Sequence, residues 1–483
     1  MLYLFNAVKN NNIYKLKNVI DISTGEILTP VDFIALNGKV FCANLDIAFM
    51  DLIKLLTKQK YRNVFVCQKA KQFSFVYKNG ECLGIHIKHT NNKELRICNF
   101  EKKFLLDFNI DTAQTLSNYA TEQGRNSYTL GRDSFNEWLQ MEFTTKGQRL
   151  NINTCNKLFR KDYPILCDSM LDRAKDACSG YQIAKQGYYT NVYNYDISSS
   201  YPAQLMNNTP IGPIKEFETL EAIPESYFYI VKATFIDVKI KPCKIDFLDI
   251  EGANITTQVL PEHLFKLAQS NYEYSKLKIK RIIAFKTRAH RFDDFVYKNV
   301  IQGKIQAQNK FIAKYNKAIA NSIVGYFGKN ATTTQTKLEH KDGKILIVER
   351  EIQGEPVYLP IYIYVTGKAK AEFITTLQRT GLDKIIYANT DGFISNEQIN
   401  IASLNLGRKD VGLYRLDKTF KEIFIEAING YCGLDTNNEL DNTLSGLHLL
   451  SPVSVEQYMN KSFDYTIKEI DGNGNICETI VKS

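Results

Sequence analysis

The sequence has few of the residues that interrupt chains or bind zinc. Its 483 residues include 11 prolines and 26 glycines, and no low-complexity linker occurs. The ten cysteines contain no CxxC pair and the six histidines form no cluster, which argues against a zinc knuckle or a dithiol redox motif. No apolar run approaches the roughly 18 residues of a membrane span. We therefore expect closely joined domains with reduced thiols in a cytoplasmic protein that has no membrane partner.

The charge is mildly basic and unevenly distributed. The formal net charge is +9, and at roughly 150 residues per domain the length predicts about three domains. Residues 276–317 hold twelve lysines and arginines against two aspartates. Such a run is often only a solvated face, but it also suits a polyanionic partner such as a nucleic acid.

Three short blocks carry the chemistry, in fixed order along the chain. They are residues 195–202 (YDISSSYP), 317–322 (KAIANS) and 387–392 (YANTDG). The first and third each present a carboxylate beside an aromatic residue at a strand end, and the middle block presents a cation and an amide. Together they predict phosphoryl transfer from a triphosphate to a 3′ hydroxyl.

The middle block belongs to a pattern of helical periodicity over residues 305–324. Lys310, Lys314, Lys317 and Asn321 fall in one stripe, opposite Ile305, Ile312, Ile319 and Ile323. A row of ammonium groups can bind a triphosphate and stabilise charge on the leaving pyrophosphate. The periodicity by itself favours an ordinary amphipathic surface helix.

The two carboxylates are Asp196 and Asp391. Asp196 ends an aromatic strand, and residues 389–392 read as the tip of a β-hairpin. If the fold brings the two aspartates together, divalent cations would offset their paired charge, and two Mg²⁺ ions could activate a 3′ hydroxyl. Taken separately, each aspartate is also explained as a turn residue.

In combination the blocks resemble the D-x-x-S-L-Y-P, K-x-x-x-N-S-x-Y-G and Y-x-D-T-D-S motifs of family B DNA polymerases, and most closely the protein-primed branch. The resemblance implies an α+β right-hand polymerase with palm, fingers and a small thumb behind an exonuclease-like domain of the RNase H type. The implied domains are 1–185 (degenerate 3′–5′ exonuclease-like), 186–295 (palm with insertion), 296–330 (fingers helices), 331–430 (strand-displacement-type hairpin and palm) and 431–483 (small thumb).

The resemblance also assigns roles. Asp196 and Asp391 would hold Mg²⁺, for which Mn²⁺ can substitute, and the Ile197 carbonyl would complete the shell. Tyr201 would lie under the incoming sugar and exclude a 2′ hydroxyl. Three further roles are implied. The triphosphate would be bound by Lys317 and Lys304, and the nucleotide pocket would be lined by Asn321. The primer end would be contacted by Asn429 and Tyr431. The implied partners are primer-template DNA, dNTPs and a priming terminal protein.

Four positions depart from the family pattern. Asn389 replaces the first aspartate of the third motif, and Gly392 replaces its serine. Val324 replaces a tyrosine that contacts the nascent base pair, and Asn429 replaces a lysine near the primer phosphate. These changes keep open a catalytically weakened nucleic-acid-binding relative, and a template-independent nucleotidyltransferase is a further alternative.

The N-terminal third lacks the exonuclease signature that the family leads us to expect. The nearest match to D-x-E is 21–24, where Ser23 replaces the glutamate, and 44–49 resembles a shortened second motif around Asp46. We therefore predict synthesis without proofreading. Residues 337–348 read as a hairpin placed like the family's strand-displacement arm, although a surface hairpin without function fits the same pattern.

Overall fold

The fold was taken from a computed structural model of the chain. It describes residues 2–10, 13–43, 45, 48–49, 51–53, 70–78, 81–89, 93–99, 110–125, 127, 129–143, 169–211, 213–329, 332–341, 344–353, 357–400, 411–444, 448–449, 453–463, 465–470 and 476–481. Within these residues, no helix is long and apolar enough to cross a bilayer.

The chain divides into two compact units. Unit 1 consists of Met1–Cys155 and Tyr297–Glu355, and unit 2 consists of Asn156–Val296 and Pro356–Ser483. Both units contain helices and sheets, as the predicted α+β class requires. The basic run 276–317 is thus divided between them.

Unit 1 is built on a seven-stranded sheet in the order β3-β2-β1-β4-β7-β6-β5. Strand β4 runs parallel to both β1 and β7, and the other pairs are antiparallel. Its strands are β1 (Leu2–Asn10), β2 (Ile13–Asp21), β3 (Ile27–Leu28), β4 (Gly38–Ala43), β5 (Ala70–Lys78), β6 (Glu81–His89) and β7 (Glu94–Asn99). Residues 73–77, a run of mostly apolar and aromatic residues, lie within β5.

Strand β6 shows why this sheet forms. Ile85 and Ile87 are fully buried and alternate with His86, the period of a strand with one apolar face. His86 lies 3.1 Å from Glu94 on the neighbouring strand β7, and His89 is the last residue of β6.

The described helices of unit 1 include the one that carries the middle block. They are α1 (Pro30–Ile34), α2 (Ile110–Glu122), α3 (Leu130–Phe143), a π-helix (Tyr297–Ile305) and α8 (Lys310–Phe327). The hairpin of unit 1 pairs β16 (Thr332–Lys341) with β17 (Lys344–Gln353) in regular antiparallel register. The predicted hairpin over 337–348 is therefore confirmed in its strands, and its tip at 342–343 lies outside the described residues.

Unit 2 is centred on a second seven-stranded sheet, in which every pair is antiparallel and the order is β22-β21-β20-β9-β19-β18-β8. Its strands are β8 (Gln182–Ala184), β9 (Gly187–Ile197), β18 (Ile385–Asn389), β19 (Gly392–Ser395), β20 (Tyr414–Ala427), β21 (Gly430–Asp435) and β22 (Leu440–Leu444). The first and third blocks lie on neighbouring strands of this sheet.

The described residues of unit 2 also form smaller sheets and six helices. The strands are β10 (Ile214–Phe217), β11 (Tyr227–Ile236), β12 (Lys239–Ile240), β13 (Ile255–Pro261), β14 (Tyr272–Glu273), β15 (Lys276–Lys286), β23 (His448–Leu449), β24 (Tyr465–Ile470) and β25 (Ile476–Val481). The helices are α4 (Ser169–Ala177), α5 (Ser200–Leu205), α6 (Glu262–Asn271), α7 (Phe292–Val296), α9 (Leu359–Thr380) and α10 (Val455–Met459).

Local sequence accounts for two further elements of unit 2. The aromatic and β-branched run from 227 forms β11, and α9 ends at Gly381, whose φ is 99°. Cys42, Cys82, Cys98, Cys178, Cys243 and Cys432 are free thiols, and all but Cys243 are buried, in agreement with reduced cysteines.

Candidate active site

Asp196 lies at the end of the central strand β9. Because side chains alternate across a strand, Tyr195 points to one face, where its ring stacks on Phe393 at 5.2 Å. Asp196 points to the opposite face and is about one-third exposed. The buried aromatic pair thus fixes the strand that holds the carboxylate at the surface.

Asp391 lies in the two-residue turn between β18 and β19, as the hairpin pattern predicts. Asn389 and Gly392 pair across this turn, and Gly392 is also the pairing partner of Asp196 on β9. The Ile197 amide donates a hydrogen bond to the Asp391 carbonyl at 3.3 Å. Two aspartates that are 195 positions apart in sequence therefore lie on adjoining backbone segments.

Three residues in the first block, the third block and the predicted primer-binding turn have a left-handed backbone conformation. Ser199, Thr390 and Asn429 have φ values of 57°, 62° and 54°. For a β-branched residue such as Thr390 this conformation is strained by about 1–3 kcal/mol, and such strain is concentrated at functional sites. Gly180 leaves room for the Thr390 side chain, because a Cβ at position 180 would lie 2.8 Å from Oγ1 of Thr390.

Tyr201 lies in α5, directly after the Asp196 strand. Its ring is half-buried, and burial together with the charge of Asp391 raises the pKa of its hydroxyl to about 12. Tyr201 is therefore a neutral aromatic residue next to the aspartate turn at physiological pH.

The donor atoms at this end of the sheet suit a hard divalent ion. Carboxylate and carbonyl oxygens are the ligands that Mg²⁺ prefers, and Asp196, Asp391 and the Ile197 carbonyl supply them from adjoining segments. No group of three or more His, Cys, Asp or Glu side chains that could hold a metal occurs among the described residues. An octahedral Mg²⁺ shell needs more oxygens than Asp196, Asp391 and the Ile197 carbonyl provide, so oxygens of substrate and water would complete it.

The two asparagines that depart from the family pattern are bonded to each other. Asn389 donates a hydrogen bond to Oδ1 of Asn429 at 2.7 Å, and the Asn429 amide donates to the Tyr387 hydroxyl at 3.3 Å. The ring of Tyr431 packs on Tyr387 at 5.5 Å. A neutral amide pair thus joins the β18–β19 turn to the β20–β21 turn, a link that the sequence did not reveal.

Sequence reasoning also missed Arg415. It is the pairing partner of Asp196 on β20, and its guanidinium lies 3.5 Å from the Asp196 carboxylate. The available local signal was the cluster of opposite charges formed by Arg415, Asp417 and Lys418.

In unit 1, the polar stripe of α8 is confirmed. Lys310, Lys314, Lys317 and Asn321 are all exposed, whereas Ile319 and Ile323 are buried. The predicted start at 305 is wrong, because α8 begins at Lys310, where the Asn309 side chain accepts hydrogen bonds from the amides of Phe311 and Ile312. Lys304 lies at the end of the preceding π-helix and is half-buried. Val324 faces the core and is 2% exposed.

A buried polar network holds the opposite face of α8. Arg125 bonds to Glu137 at 3.0 Å and to Oδ1 of Asn316 at 2.8 Å, and it also bonds to Oδ1 of Asn299 at 2.5 Å. Burial by itself would raise the pKa of Glu137, but Arg125 and Lys298 outweigh it and lower that pKa. The network therefore fixes the helix whose outer stripe carries Lys317.

The predicted exonuclease residues are only partly described. Asp21 is 7% exposed at the end of β2, and its carboxylate accepts a hydrogen bond from the Ser23 amide at 2.8 Å. The arrangement is that of an Asx turn. Asn44 and Asp46 lie outside the described residues.

Comparisons with known proteins agree on family and fold. Residues 100–411 match the family described as "DNA polymerase type B, organellar and viral". The structure of Phi29 DNA polymerase with primer-template DNA and incoming nucleotide substrates has a TM-score of 0.76 at 17% identity, covering 100% of this chain and 98% of that one. Phi29 DNA polymerase with single-stranded DNA gives 0.75 at 17% identity, with 100% and 99% covered. No curated protein sequence matches.

The chain belongs to the organellar and viral family of type B DNA polymerases. The predicted α+β polymerase fold and the predicted enzyme class, a DNA-directed DNA polymerase, are confirmed.

Proposed function

We propose that this polymerase extends a 3′ hydroxyl by two-metal-ion phosphoryl transfer at the end of β9. The observation that carries the proposal is the juxtaposition of Asp196 and the Asp391 turn, joined by the Ile197 amide. Asp196, Asp391 and the Ile197 carbonyl would hold Mg²⁺, with Mn²⁺ as a substitute. When bound, such ions lower the pKa of the attacking hydroxyl and neutralise charge on the leaving oxygens.

Tyr201 is proposed to select the sugar. An aromatic ring that is half-buried beside Asp391 has little freedom to move, and under a ribose it leaves no room for a 2′ oxygen. Its hydroxyl is protonated at physiological pH and so adds no negative charge beside the triphosphate.

The outer stripe of α8 is proposed to bind the dNTP. Lys317 would neutralise the triphosphate and Asn321 would line the nucleotide pocket, with Lys304 as a second phosphate ligand. Support comes from the motif match and from the exposure of Lys317 and Asn321 on a helix whose other face is held by buried side chains.

The primer end is proposed to lie at the β20–β21 turn. Asn429 and Tyr431 would contact it, with the Asn389–Asn429 hydrogen bond keeping this turn beside the aspartate turn. Loss of the family's lysine at 429 removes a cation, so we expect weak primer binding that depends on other phosphate contacts.

We also propose that residues 1–185 are an exonuclease-like domain without proofreading activity. Metal-dependent hydrolysis needs a full carboxylate set, and Ser23 cannot supply the missing charge. The test is a 3′-labelled mismatched primer with Mg²⁺ or Mn²⁺ and no dNTPs. Shortening that disappears in Asp21→Ala would show that the domain is active.

The resemblance to protein-primed enzymes suggests that a hydroxyl of a terminal protein can start synthesis. On that basis the remaining parts would be a palm (186–295 and part of 331–430), fingers (296–330) and a small thumb (431–483). The enzyme would act in the cytoplasm of a bacterial host.

One assay tests the proposal against its alternatives. Incorporation of labelled dNTPs is measured with Mg²⁺ on primed DNA, on primed RNA and without template. The proposal predicts incorporation on primed DNA that follows the template sequence. Incorporation without template would indicate a terminal nucleotidyltransferase. Binding without incorporation would indicate a weakened relative, which the changes at 324, 389 and 429 favour.

A further inference from the structure

Arg415 forms an ion pair with Asp196, one of the proposed metal ligands. It faces Asp196 directly across the β9–β20 ladder, with Nη2 3.5 Å from Oδ2. The same Nη2 lies 2.9 Å from Oδ1 of Asp417. The guanidinium therefore bridges a proposed metal ligand and a second carboxylate.

This bridge is unequal and only partly buried. The shorter contact is to Asp417, and each of the three side chains is about one-third exposed. The Nε of Arg415 is buried and has no hydrogen-bond partner within the described structure. A guanidinium with an unused donor and a second carboxylate at hand can leave Asp196 at small cost.

We propose that Arg415 is a resident cation that competes with divalent ions for Asp196 and so sets the metal concentration that the polymerase requires. The inference rests on the proposed metal site. Arg415 would be a positioning residue, because it acts through Asp196. When a divalent ion binds the Asp196 carboxylate, the guanidinium would keep its contact with Asp417.

The charges at this end of the sheet support the proposal. Asn389 stands where the family pattern has an aspartate, so Asp196 and Asp391 are the two carboxylates left in the recognised blocks. A positive charge beside one of two ligands weakens the attraction for a further cation, and the effect is largest where the ligand charge is small.

The competing explanation is that the Arg415–Asp196 ion pair only stabilises the pairing of β20 with β9. The two strands already share a long antiparallel ladder from Tyr414↔Ile197 to Ile425↔Gly187, so a partly exposed ion pair adds little to their pairing. The two explanations differ in metal affinity, which a tie between strands would not change.

The experiment measures Mn²⁺ binding to the full chain without DNA or dNTP, using the EPR signal of free Mn²⁺. The variants are Arg415→Gln, Arg415→Lys and Asp196→Ala. The matched control is Lys418→Gln, which removes an equal charge from the same strand, where Lys418 pairs with Asp441 at 2.5 Å. Incorporation on primed DNA is titrated with Mg²⁺ in parallel.

We expect Arg415→Gln to bind Mn²⁺ on the order of fivefold more tightly, the upper range for a solvent-accessible ion pair. Arg415→Lys and Lys418→Gln should stay close to wild type, and the Mg²⁺ optimum of Arg415→Gln should move to lower concentration. Asp417→Asn should weaken Mn²⁺ binding, and by less in the Arg415→Gln background, because part of its effect passes through Arg415.

Two results would overturn the inference in distinguishable ways. If Asp196→Ala loses Mn²⁺ but Arg415→Gln matches wild type or Lys418→Gln, the metal site stands and the role of Arg415 is wrong. If Asp196→Ala binds Mn²⁺ as wild type does, the proposed site itself is wrong, and the inference is overturned with it.

Discussion

Replacing Arg125 by methionine should lower the free energy of unfolding of unit 1 far more than replacing an exposed arginine does. Arg125 and Glu137 are 2% and 8% exposed, so the change leaves a buried carboxylate and removes donors from Asn299 and Asn316. Breaking a buried pair costs about 3–5 kcal/mol. The lower end applies here, because Lys298 stays 2.7 Å from Glu137.

The assay uses the single tryptophan of the chain. Trp138 lies in α3, is 1% exposed, and packs edge-to-face on Phe327 of α8 at 5.6 Å, so its fluorescence reports on this core. A loss of about 3 kcal/mol moves the urea midpoint by about 1 M or more at slopes of about 1–3 kcal/mol per M.

The matched control is Arg96→Met, also in unit 1. Arg96 pairs with Glu94 at 3.5 Å, and both side chains are 42% exposed, so this change should hardly move the urea midpoint. Replacing Glu137 by leucine in the Arg125→Met background should recover part of the loss, since no unpaired charge remains buried. An Arg125→Met midpoint no lower than that of Arg96→Met would refute the reasoning.

Three further outcomes are expected. Tyr201→Val should increase ribonucleotide use relative to deoxynucleotides, and an unchanged ratio in single-nucleotide incorporation would place the selecting residue elsewhere. Burial lowers the pKa of His263 from 6.5 to about 4, so unit 2 should lose stability as the pH falls from 6.5 towards 4, by on the order of 2 kcal/mol between pH 7 and pH 5. In thermal unfolding, His263→Phe should flatten this pH dependence. A pH dependence of stability parallel to that of the wild type would contradict the assignment. Trimming 337–348 to a Gly-Ser turn should spare gap filling and impair synthesis through duplex DNA, whereas equal effects on both would argue against strand separation.

The sequence predicted the parts of the site that depend on local pattern. Alternation identified β9, and the turn residues 389–392 identified the hairpin that carries Asp391, because both signals act within a few residues. The stripe of α8 followed from helical spacing. Its start did not, since Ile305, Ile312 and Ile319 repeat at intervals of seven and continue through the break at Asn309.

The rest depended on contacts between distant segments. Arg125 and Asn316 are 191 positions apart, and Asn389 and Asn429 are 40 apart, so neither pairing leaves a local signal. The facing of Arg415 and Asp196 is set by the register of two strands, and a shift of one residue would have sent Arg415 to the other face. A single sequence does not contain that register explicitly.

The most direct test of the central claim is dNTP incorporation on primed DNA with Mg²⁺ by Asp196→Asn and Asp391→Asn. Each change removes a metal-binding charge while keeping the side-chain shape, so incorporation should fall by about a thousandfold, equivalent to several kcal/mol of transition-state stabilisation. DNA binding should persist, because phosphate contacts dominate it. Asp441→Asn, on β22 of the same sheet, is the control and should retain activity. Near wild-type incorporation by either Asp196→Asn or Asp391→Asn would contradict the account.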